Sequence, residues 1–126
     1  INLVGDQRAA VSGDFDRDGM SDLVVTRNSG ETGLFLNKSK KIGLRVVVQG
    51  AAGNSHGIGS VLRLEYHDGM GPARQITGSS GYRSQGSSVQ VLHAIRPVES
   101  VWIQKPDGKI LTHEIKKGTR EVRINY

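Results

Sequence analysis

Hydrophobic and polar residues alternate along most of the chain. Leu44, Val46 and Val48 share one side of a run whose other side carries Arg45 and Gln49. Leu62, Leu64 and Tyr66 oppose Arg63 and Glu65 in the same way, and Val122, Ile124 and Tyr126 oppose Glu121, Arg123 and Asn125. A period of two is the signature of a half-buried strand, because successive side chains of a strand point to opposite faces. β-branched and apolar runs add strand candidates at 9–13, 22–27, 33–37, 73–77, 87–92, 98–104 and 109–115. Turn-forming residues separate them: His67-Asp68-Gly69 and Pro106-Asp107-Gly108 fit hairpin turns. No segment has the spacing of an amphipathic helix. The pattern predicts an all-β chain, with an antiparallel β-sandwich-like or barrel domain after residue 43.

Composition narrows this picture. The 126 residues suit one domain, or a small domain plus a fragment of another. A hydrophobic content of 36% beside 17 glycines predicts a modest core with many turns. No run approaches the roughly 18 apolar residues of a membrane-spanning helix. Without cysteine the chain has neither disulfides nor thiolate metal sites. It begins with Ile1 rather than Met, as expected of a processed or truncated piece. The net charge of +5 is unevenly placed. Residues 1–42 hold six Lys/Arg against six Asp/Glu, whereas residues 43–126 hold eleven against six. The shift near Lys38–Gly43 marks a candidate boundary between a first unit, 1–42, and a second, 43–126. The excess can attract polyanions, or it can simply keep a domain in solution.

Against that basic background stands Asp14-Phe15-Asp16-Arg17-Asp18-Gly19-Met20-Ser21-Asp22. Carboxylates this close repel one another, and a cation between them offsets the repulsion. Counted from Asp14, the carboxylates occupy positions 1, 3, 5 and 9, Gly19 takes the sharp turn at 6, and Met20 offers its carbonyl at 7. An EF-hand loop uses this spacing. Position 12 here is Val25 rather than Glu, and Leu23-Val24-Val25-Thr26 reads as a strand rather than a helix. The motif is therefore an EF-hand-like loop between strands. Its hard oxygen donors favour Ca²⁺. The alternative is a solvated acidic turn that binds nothing.

Ala9–Gly13 leading into DFDRDGMSDLVVT, and then Gly33-Leu34-Phe35-Leu36-Asn37, resembles one FG-GAP/VCBS repeat. The chain beyond residue 43 is similar to the ASPIC/UnbV domain of the cartilage acidic protein family. The matching blocks are LRVVVQG (44–50), GNSHGIGS (53–60), SGYRSQ (80–85) and VWIQKPDG (101–108). The chain departs from that family at Asn54-Ser55, His93–Arg96 and Lys105-Pro106. The resemblance implies that 1–42 is a fragment of a β-propeller blade, completed by the rest of its own propeller, and that 43–126 is an ASPIC/UnbV-like β domain. It implies calcium ligands at Asp14, Asp16, Asp18, Met20 (through its carbonyl) and Asp22, and an extracellular setting: secreted, cell-surface or periplasmic. It transfers no catalytic residue.

Other features are less pointed. Gly53-Asn54-Ser55-His56-Gly57 spells G-x-S-x-G, but a nucleophile elbow needs a helix after it, and a strand pattern stands there instead. His56, His67, His93 and His113 show no zinc spacing. Tyr82, Arg83 and Gln85 gather an aromatic ring, a guanidinium and an amide in one loop, a combination suited to ligand contact or to internal bracing. Asn37-Lys38-Ser39 is a glycosylation sequon. Trp102, between Val101 and Ile103, is expected to face away from the core. The functional expectation is a non-enzymatic binding or adhesion module with a protein or glycan ligand outside the cell. Two alternatives stand beside it: an acidic-polysaccharide binder drawing on Arg63, Arg74, Arg83, Arg123 and Lys116 or Lys117, and an accessory domain of a hydrolase. Six aromatic residues and no nucleic-acid-binding signature argue against nucleic acid as the partner.

Overall fold

In the computed structural model, residues 4–39, 43–79, 81 and 87–126 are described. They form eleven strands and, among the described residues, no helix. The first three are β1 (Gln7–Gly13), β2 (Asp22–Arg27) and β3 (Gly30–Phe35), an antiparallel sheet in chain order. Gly13 pairs with Asp22, so the whole acidic stretch 14–21 is the connection of the β1–β2 hairpin. Asn28-Ser29 makes the tight turn into β3, with Ser29 at a φ of 54°. Little of this sheet is buried. Val25 is its one buried apolar strand residue, and Leu34 is 54% exposed.

The remaining strands build two sheets that pack face to face. One contains β5 (Val61–Tyr66), β6 (Gly69–Met70), β7 (Arg74–Gln75), β9 (Ser100–Gln104) and β10 (Ile110–Glu114). Here β9 lies between β10 and β5, while β6 and β7 pair with opposite ends of the other edge of β5. The other sheet has the order β11–β4–β8, from β11 (Glu121–Asn125), β4 (Leu44–Gln49) and β8 (Gln90–Leu92).

Alternation explains the packing. Leu44, Val46 and Val48 of β4, with Val122 and Ile124 of β11 beside them, face Leu62, Leu64 and Tyr66 of β5 and Val101 and Ile103 of β9. Ile76 and Leu92 complete this core. Each such side chain contributes roughly 1.5–3 kcal/mol when fully buried, enough together to fix the register, since a one-residue slip would turn every apolar group outward. The arrangement is the expected all-β sandwich, with one departure from purely antiparallel pairing. β11 runs parallel to β4, Val122 opposite Val46 and Ile124 opposite Val48. A parallel neighbour cannot be reached through a short hairpin, and here the entire opposing sheet lies between the two strands in sequence.

Both expected turns are present. His67-Asp68 closes β5 onto β6, and Gly108 donates its N–H to the Lys105 carbonyl at 2.9 Å between β9 and β10. The β4–β5 connection packs tightly on the core. Gly57 has a φ of 62°, and a Cβ there would stand 2.5 Å from Cγ1 of Val48. Strand candidates 33–37, 73–77 and 87–92 shift or shorten to Gly30–Phe35, Arg74–Gln75 and Gln90–Leu92.

Candidate metal centre

The hairpin between β1 and β2 is shaped by its own carboxylates. Asp18 N–H donates to Oδ1 of Asp16 at 3.3 Å, and Met20 N–H donates to Oδ1 of Asp18 at 2.9 Å. Such side-chain-to-backbone bonds two residues apart turn the chain sharply over the acidic groups. Arg17 and Gly19 supply left-handed backbone, at φ of 62° and 85°. As a result one oxygen each from Asp14, Asp16 and Asp18 lies within 4.8 Å of the others, an arrangement with the geometry to hold a metal ion.

Asp22 does different work. Its side chain is buried, with Oδ2 accepting the Phe15 N–H at 2.9 Å and Oδ1 accepting the Asn37 N–H at 2.8 Å. Asn37 in turn donates Nδ2 to the Ser21 carbonyl at 3.2 Å. Asp22 thus clamps both ends of the loop to the segment after β3, and it does not belong to the cluster of three. Met20 is buried, and its sulfur accepts from the Ser39 hydroxyl at 3.3 Å. The Gly19 carbonyl accepts the Gly43 N–H at 2.8 Å, which fastens the loop to the start of β4.

Asp14 is the least solvated of the three carboxylates, its side chain only 1% exposed. Oδ2 accepts from Nη1 of Arg45 at 2.7 Å, whereas Oδ1 is buried without a hydrogen-bond partner. A buried carboxylate oxygen left unpaired is costly, and a bound cation removes that cost. Sequence reasoning had no access to Arg45. Alternation places it on the polar side of β4, but nothing in the pattern says that it reaches back 31 residues to Asp14.

Tyr82, Arg83 and Gln85 lie outside the described residues. Arg63 and Arg123 stand on the outer faces of opposite sheets, because their neighbours Leu62, Leu64, Val122 and Ile124 all point into the shared core. They therefore do not converge as a polyanion surface would require. An open groove of about 970 Å³ beside Gly43 carries Arg96, Lys116, Lys117 and Arg120, but Glu65, Glu99 and Glu114 line it too. Ser55 is exposed in a loop that runs into strand β5, without the helix of a nucleophile elbow; instead the Asn54 side chain both accepts from and donates to the backbone of Ile58, each at 2.8 Å. Trp102 is half-buried on the outer face of its sheet, opposite Arg63 and Thr112. No helix is long and apolar enough to cross a membrane, among the described residues.

The chain matches no protein-family model and no curated protein sequence.

Proposed function

We propose that this protein is a calcium-binding, non-enzymatic recognition module that works outside the cell. The observation that carries the reading is the buried, unpartnered Oδ1 of Asp14 beside the carboxylates of Asp16 and Asp18. Calcium takes oxygen ligands at about 2.3–2.6 Å, so two ligands on opposite sides of one ion stand at most about 5 Å apart. One oxygen from each of Asp14, Asp16 and Asp18 lies within 4.8 Å of the others, inside that limit. Asp14, Asp16 and Asp18 would hold the ion, with the Met20 carbonyl as a further donor and Asp22 keeping the loop closed. Extracellular calcium modules bind at roughly 10⁻⁴–10⁻³ M, matching calcium levels outside cells better than inside them.

The kinship with FG-GAP/VCBS repeats and ASPIC/UnbV domains belongs to the same proposal. In it, β1–β3 are part of a propeller blade and the sandwich is the recognition domain, with a protein or glycan as ligand. The thin burial of the β1–β3 sheet is in keeping with a blade that needs neighbours to cover it. Calorimetric titration of Ca²⁺ into the wild-type chain and into Asp16→Ala tests the metal reading. Saturable heat from the wild type and none from the variant is expected; equal heats from the two, or no heat from the wild type, would refute it.

A further inference from the structure

We infer that Arg45 is a built-in counter-ion that competes with the metal for Asp14, setting the affinity of the loop and linking its occupancy to the β4–β11 ladder. The inference rests on the metal reading above. Asp14 is all but excluded from water, with its side chain 1% exposed, and Arg45 Nη1 lies 2.7 Å from its Oδ2. A carboxylate at that depth is costly to bury without a positive group beside it. In the absence of metal that group is Arg45.

The guanidinium is not free to drift toward or away from the loop. Its Nε lies 2.9 Å from Oε2 of Glu121, off the line of a hydrogen bond, so the contact is an electrostatic one. Glu121 is also the residue directly opposite Arg45 in the parallel ladder, and Arg45 N–H donates to the Arg120 carbonyl at 2.9 Å. Glu121 accepts in addition from Nε of Arg123 at 3.0 Å. A chain of alternating charge therefore runs from the acidic loop across β4 onto β11: Asp14, Arg45, Glu121, Arg123. One guanidinium serves two carboxylates, one in the acidic loop and one on β11.

A divalent cation bound by Asp14, Asp16 and Asp18 draws on the same carboxylate that Arg45 neutralises. Two positive groups then share Asp14 and repel one another. That repulsion fixes the sign of the coupling. Removing Arg45 raises the free energy of the metal-free folded state, where the buried carboxylate loses its partner. It raises that of the metal-bound state less, because the metal supplies the missing charge. The difference appears as tighter metal binding and as a fold that leans more heavily on metal.

The test compares the wild-type chain with Arg45→Met, Arg45→Lys and Glu121→Gln, using Ca²⁺ alone as the probe, with calorimetry for affinity and thermal unfolding for stability. Arg45→Met should melt below the wild type without calcium, bind Ca²⁺ at least about tenfold more tightly, and show the larger calcium-induced rise in Tm. Arg45→Lys keeps the charge and should stay within about threefold of the wild-type affinity. Glu121 is 37% exposed, so Glu121→Gln should fold normally. It leaves Arg45 wholly to Asp14 and should weaken Ca²⁺ binding by about two- to threefold. The Glu121→Gln result decides the matter even if Arg45→Met does not fold. Wild-type binding with Arg45→Met equal or weaker, or with Glu121→Gln unchanged or tighter, overturns the competition and leaves the metal site standing. A wild type that binds no calcium overturns both.

Discussion

The β1–β3 sheet and the two-sheet sandwich are made of the same kind of strand but are held together differently. The sandwich encloses twelve buried side chains, from Leu44 to Ile124, and no residue of the first sheet joins that cluster. In the described part of residues 4–39 only Met20 and Val25 are buried apolar groups. What fixes the first sheet is polar: Asp22 capping two backbone amides, Asn37 bridging to Ser21, and Arg45 reaching Asp14 from the neighbouring sheet. Burial of apolar surface is non-directional and insensitive to charge, whereas a clamp of carboxylates responds to every ion nearby. The comparison thus separates a part that carries stability from a part that can respond to metal.

The largest effect should come from the sandwich. Ile103→Ala removes a fully buried side chain and should cost about 2–5 kcal/mol in urea unfolding, while Leu34→Ala, on the exposed face of β3, should change stability by less than about 0.5 kcal/mol. Similar losses from the two would break the contrast. Asp22→Ala comes next. It strips the partners from two backbone N–H groups and should cost about 2–3 kcal/mol, felt locally. Hydrogen exchange should show the β1–β3 amides losing protection while those of β5 and β9 keep theirs; uniform loss would mean that the two parts unfold as one.

Calcium sharpens the same division more gently. At about ten times its Kd it should slow exchange at 14–22 by about tenfold and leave the sandwich amides unchanged. The smallest effect lies at Asp107, on the β9–β10 turn. The Lys109 backbone N–H, donated to its carboxylate at 3.0 Å, lowers the Asp107 pKa below the ordinary 3.8, with the charges of Lys105 and Lys109 adding to the shift. A lowered folded-state pKa means that the contribution is fully present above the unfolded value and is lost as pH falls below 3.8 toward the folded value. The side chain is exposed, so Asp107→Asn should flatten the acid limb of the stability profile only slightly; a steeper limb would contradict the assignment.

Much of this architecture was legible from alternation. The long strands fall where the period of two places them, and β4, β5 and β11 match their patterns closely because burial on one face leaves an unambiguous trace. The two-residue strands β6 and β7 leave no such trace, since a period cannot be read from two positions. Nor does alternation encode direction, so the parallel pairing of β11 with β4 was invisible. In the acidic loop, spacing brought Asp14, Asp16 and Asp18 together correctly as a group. It could not show that Asp22 also accepts two backbone amides, because a carboxylate placed for a cation and one that caps amides look alike in sequence. Arg45 was legible as a polar strand position and no further.

The β4–β11 ladder also bears on how the chain reaches its fold. Some seventy residues separate Gln49 from Glu121, and the core faces of Val46 and Val48 gain their in-sheet neighbours Val122 and Ile124 only when β11 arrives. Closing a loop of that length must precede the contacts that reward it, which places this sandwich among slow-folding topologies, on a millisecond-to-second timescale. During synthesis, the strands from β4 to β10 emerge before the strand that completes their smaller sheet. Until then β4 presents an unpaired, strongly apolar edge, and the nascent chain is at its most vulnerable to edge-to-edge association.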